Sequence, residues 1–126
     1  MTEPAVLPTV RRLGEISVEY QKRASEIEGI LVKAADAEAN YRATHAKRAL
    51  SAMVTEAASA AKAEIIANAD DEVSDACFSY KVQGALAEAA KCKLTQLRAA
   101  LEFGKAKLYA DLGTDKIHAQ GMSGAA

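Results

Sequence analysis

Between Val10 and Met53 apolar or small residues recur at steps of three and four. The stripe runs Leu13, Ile16, Tyr20, Ala24, Ile27, Leu31, Ala34 and Tyr41, then Ala46, Ala49 or Leu50, and Met53. Such a period belongs to a helix packed along its length, so it predicts a helix over 10–53, about 65 Å long at 1.5 Å per residue. A second stripe begins with Val73, Cys77, Tyr80, Gly84, Ala87, and Ala90 or Lys91. It continues through Leu94, Leu97, Leu101, Gly104 or Lys105, Leu108 and Leu112, and predicts a helix over 72–112. Between the two, Thr55 can cap a short connector helix over 56–67. Residues 68–71 form a break whose Asp70 or Asp71 caps the last helix, with Glu72 in its first turn as the helix dipole prefers. Pro4 and Pro8 mark residues 1–9 as an extended arm, and Thr9 is an incomplete N-cap. Gly113 reads as a C-terminal stop, which leaves 113–126 as a flexible, small-residue tail.

The expected fold class is therefore all-α, an antiparallel, coiled-coil-like hairpin of two long helices with a short connector. Charge favours the antiparallel sense. Glu15, Glu19, Glu26 and Glu28 would neighbour Arg98, Lys105 and Lys107, while Arg42, Lys47 and Arg48 would approach Asp70, Asp71, Glu72 and Asp75. Gly14 and Gly29 lie inside the first helix, where they would serve close helix approach or a mild bend. One stripe per helix leaves Val18, Ile30, Val32, Phe78, Val82, Leu86 and Phe103 wet. That surplus predicts self-association into a homo-oligomer, or an unidentified protein partner.

Composition sharpens this picture. The 126 residues include 29 alanines but only 28 Val, Ile, Leu, Met and Phe together, so the core is thin. No apolar run is long enough to cross a membrane, and the N-terminus lacks the pattern of a secretory signal. Cys77 and Cys92 lie 15 residues apart, roughly 22 Å on one helix, beyond disulfide reach. Both read as small apolar residues in a reducing compartment. The formal net charge of −1 argues against wholesale coating of nucleic acid but permits a local basic patch.

The run Ala37-Glu38-Ala39-Asn40-Tyr41-Arg42, the segment Ala46-Lys47-Arg48-Ala49-Leu50, the 54–69 connector and the stretch from Ala85 to Leu101 carry a resemblance. Over about residues 15–112 the chain resembles small helical proteins of tailed bacteriophages, typically uncharacterised, which tend to be encoded beside single-strand-binding and recombination genes. Asn40 stands where that pattern has an acidic residue, and Gly104 interrupts its last helix. The resemblance implies a phage protein in the host cytoplasm, or in the virion if structural. It supplies no catalytic residues.

Candidate chemistry is sparse. No phosphate-binding glycine loop, nucleophile elbow or metal-ligand pair is present, and His45 and His118 stand alone, so no enzyme activity, cofactor or metal is expected. The acidic cluster at Asp70–Asp75 lacks calcium-loop spacing and reads as helix capping. Two basic groups could form an interaction face: Arg42, Lys47 and Arg48 on the first helix, and Lys91, Lys93, Arg98 and Lys105, with Lys81 and Lys107, on the last. The helix seam is expected at Leu13, Ile16, Tyr20, Ile27, Leu31 and Tyr41 against Val73, Tyr80, Leu94, Leu97, Leu101 and Leu108. The favoured function is a non-enzymatic phage protein acting through protein–protein contacts, accessory to replication, recombination or host takeover. The alternatives are a virion scaffold or connector piece, and a nucleic-acid-binding accessory using the 81–107 basic face.

Overall fold

The computed structural model describes the backbone of residues 6–124 and the side chains of residues 7–113. Three helices follow in order: α1 (Val6–Thr55), α2 (Ala60–Ala69) and α3 (Asp71–Gly124). There is no strand among the described residues, and the two long helices pack against each other.

The helix ends differ from the expected ones, each for a local reason. α1 begins at Val6, so Pro8 lies in its first turn, where the N–H that proline lacks would have no helical acceptor in any case. Thr9 is consequently a helical residue and not a cap; Pro4 and the rest of 1–5 lie outside the described residues. At the other end, α1 runs on to Thr55, whose hydroxyl donates back to the Ser51 carbonyl at 2.5 Å instead of capping the connector. The chain leaves α1 through Ala57, which adopts a left-handed φ of 53°. The cap of α2 is Ser59, whose Oγ accepts from the Lys62 N–H at 3.2 Å. α3 does not stop at Gly113. None of the described glycines has positive φ, and no proline follows to force a break, so the helix continues to Gly124 through the segment expected to be a flexible tail.

The chain divides into two compact units. Unit 1 comprises residues 1–25 and 92–126. Thr9 is buried in α1 and its hydroxyl donates to the Asp111 carboxylate of α3 at 2.5 Å. Leu13 packs straight onto Gly104, and the Tyr20 hydroxyl accepts from Arg98 at 3.2 Å. As residue numbers rise along α1 they fall along α3, so the helices are antiparallel. Ile16 and Leu97 are the buried large residues here, with Leu94, Leu101 and Leu108 half-buried.

Unit 2 comprises residues 26–91 and holds three helical segments. Tyr41 and Tyr80 stack across it, with ring centroids 5.5 Å apart and planes 17° apart, and Arg48 meets Asp70, again in antiparallel sense. Its buried residues are nearly all alanine: Ala52, Ala63, Ala67, Ala76 and Ala87, with Val73 the one larger side chain among them. Small side chains let the helices approach closely, but each removes little apolar area from water. The seam therefore shifts from the expected frame at the end of α1. Ala52 is buried, whereas Ala46, Leu50 and Met53 are exposed.

Candidate functional surfaces

The geometry of the chemistry-bearing side chains falls into three places. The first is the elbow between α2 and α3 in unit 2. One residue, Asp70, separates these helices. Its N–H donates to Ala67 O at 3.2 Å, closing α2, while its Oδ2 accepts from the Val73 N–H at 3.1 Å, opening α3. Its Oδ1 lies 3.4 Å from Arg48 Nε, and Arg48 Nη2 reaches Glu56 at 3.3 Å. Arg48 thus ties the end of α1 to both connecting segments. A polar cleft of about 390 Å³ opens beside them, lined by Asn40, Thr44, Lys47, Ser51 and Glu72 among others.

The second is an aromatic cluster, also in unit 2. The His45 ring lies tilted on Tyr41, with centroids 6.0 Å apart, and its Nε2 is 3.1 Å from Asn68 Oδ1. Partial burial and the neighbouring Cys77 thiol hold the Tyr41 hydroxyl above its ordinary pKa. Cys77 is half-buried and Cys92 exposed, both as free thiols. A cleft of about 270 Å³ beside Tyr41 and Cys77 is walled by Phe78 and Lys81.

The third is in unit 1, where a cleft of about 310 Å³ is floored by Leu13, Ile16, Ala100 and Gly104 and walled by Phe103. Arg12 from α1 and Lys107 from α3 also line it. Arg12 pairs with Glu15 on its own helix at 3.4 Å.

Of the expected seam residues, Ile16, Val73 and Leu97 are buried. Leu13, Tyr20, Ile27, Tyr41, Tyr80, Leu94, Leu101 and Leu108 are half-buried, and Leu31 is 37% exposed. The expected interaction residues differ in what holds them. Arg42 pairs with Glu38 at 2.6 Å and Lys91 with Glu88 at 3.2 Å, each along its own helix. Arg48 is committed to the elbow, and Arg98 to Tyr20. Lys47 and Lys105 are exposed and Lys93 half-buried. Lys91, Arg98 and Lys105 lie seven apart in one row. Lys93 and Lys107, two residues along from Lys91 and Lys105, point about 200° around the helix to the other flank.

Of the expected cross-helix charge pairs, Arg48–Asp70 forms among the described residues. Glu15 and Glu19 pair instead with Arg12 and Arg23, three and four residues away on α1. Gly14 and Gly29 serve no close approach: apart from their own helix backbone and chain neighbours, no atom lies within 4 Å of the space a Cβ would take at either. Sequence reasoning passed over Thr9–Asp111 and the buried Ala63, Ala67 and Ala76. A lone threonine or alanine in an alanine-rich helix carries no periodic signal of its own.

Among the described residues, no group of three His, Cys, Asp or Glu side chains could hold a metal ion, and no helix is long and apolar enough to cross a membrane. No family model, curated protein or solved structure matches the chain.

Proposed function

We propose that this is a non-enzymatic helical protein, of the bacteriophage type its sequence resembles, that works through protein–protein contacts, first of all with copies of itself. The observation that carries this reading is the imbalance between core and surface. Among the described residues Val73 is the one large side chain wholly shielded from water, and most of the buried apolar set is alanine. Meanwhile Phe78 and Phe103 stand 71% and 74% exposed, and Val18, Val32, Val82 and Leu86 are exposed with them.

A nucleic-acid accessory using the 81–107 basic residues is less well supported, because Lys91 pairs with Glu88 and Arg98 donates to Tyr20. Sedimentation equilibrium across a concentration series tests the proposal. It expects a mass of two or more chains at micromolar concentration; a single-chain mass throughout would refute it.

A further inference from the structure

The two units carry opposite charge. Residues 1–25 and 92–126 hold nine Lys and Arg against six Asp and Glu, while residues 26–91 hold seven against eleven. Each unit also displays one phenylalanine to solvent: Phe78 with Asp71 and Asp75 on its face and Lys81 beside it, Phe103 with Arg12 and Lys107 at its cleft.

In unit 2, Asp71, Asp75, Phe78, Val82 and Leu86 follow one another by steps of four, three, four and four, so they share one face of α3 within an arc of about 80°. All five are exposed. In unit 1, Phe103 rises beside an apolar cleft whose floor is Leu13, Ile16 and Gly104, and Arg12 and Lys107 line the same cleft. Gly104 has no side chain to fill the floor, and Leu13 already occupies the space a Cβ would take.

We infer that the Phe103 cleft of one copy receives the Phe78 face of another, with Asp71 and Asp75 set against Arg12 and Lys107. The inference rests on the self-association proposed above and specifies its geometry. Two aromatic side chains leave water together, and carboxylates meet cations around them, the arrangement of an apolar centre with a charged rim. The two surfaces are different, so each copy offers one half of two contacts, satisfied reciprocally in a closed pair or successively in a ring or filament.

The decisive experiment mixes two exposed-site variants. Phe103→Ser removes the receiving wall, and Phe78→Ser removes the inserted ring. Circular dichroism confirms that each folds, as is expected for substitutions at solvent-facing positions. Each variant alone should associate at least about tenfold more weakly than the parent chain, the usual scale for losing an aromatic anchor. Mixed in equal amounts, they should form a 1:1 complex that grows no further, because each supplies the surface the other lacks. The charge arm is independent of packing. Arg12→Glu with Lys107→Glu should weaken association, and adding Asp71→Lys with Asp75→Lys in the same chain should restore it.

A parent chain that stays monomeric overturns the proposed function together with this inference. A parent chain that associates while the variants associate equally well, or while their mixture shows no 1:1 complex, overturns this inference alone.

Discussion

The Arg48 guanidinium of α1 lies 3.4 Å from the Asp70 carboxylate, at the single residue that separates α2 from α3. Both side chains are about 70% shielded, so the pair is better screened from water than the i,i+3 and i,i+4 pairs elsewhere on the helices. Asp70 also caps α3, and the two roles are separable. Asp70→Asn keeps a capping oxygen for the Val73 N–H and loses only the charge, so it should cost less than about 1 kcal/mol. Asp70→Ala loses both and should cost about 1–2 kcal/mol. Urea unfolding of the two variants checks the order; equal costs would mean that the cap contributes nothing.

Ala57 holds a left-handed backbone at the exit from α1 and is exposed. A Cβ is disfavoured there, and glycine is not. Ala57→Gly is expected to stabilise the chain by about 0.5–1 kcal/mol, seen as a higher urea midpoint at unchanged slope.

Glycines inside the helices should respond differently to alanine. At Gly29 the added methyl meets nothing, so Gly29→Ala should stabilise by about 1 kcal/mol. At Gly104 the methyl collides with Leu13, which must turn away from the seam. Gly104→Ala should therefore fall short of Gly29→Ala by about 1 kcal/mol or more. Matched thermal melts of the two variants measure the gap.

Leu97 is 6% exposed, while Val18 is 68% exposed. Leu97→Asp buries an unpaired carboxylate among leucines and should cost about 3 kcal/mol or more. Val18→Asp should lie within about 0.5 kcal/mol of the parent chain. A Leu97→Asp chain with unchanged melting would remove Leu97 from the seam.

The raised pKa of Tyr41 sets the sign of one pH effect. The folded state holds this proton to higher pH than the unfolded chain does. Its contribution is therefore complete below about pH 10 and is lost as pH rises through the folded value. The parent chain should lose more stability than Tyr41→Phe between pH 9 and 11, in paired melts. An identical decline would place the phenol in ordinary solvent.

The α3 seam was legible because its leucines and Val73 keep a seven-residue beat that survives any small error of helix boundary. The wet residues Val18, Val32, Phe78, Val82, Leu86 and Phe103 were legible as what that beat leaves out, although Ile30, expected among them, is half-buried. Boundaries were less so. Pro8 and Gly113 are punctuation marks that a helix tolerates in its first turn or in its interior, and only the surrounding packing decides which reading wins. Alanine in unit 2 presents the same side chain on every face, so Ala52 could not be told from Ala46 by pattern. The partner choices of Arg48 and Arg98 depend on which residue the opposite helix brings alongside, a matter of register that periodicity does not encode.

Because Asp70 by itself joins α2 to α3, there is no slack in that joint to absorb a miscount. Inserting one residue after it would part the N–H that closes α2 from the carboxylate that opens α3, so a single side chain could no longer serve both helices. Length variation at this elbow should therefore be far less tolerated than at the 56–59 turn.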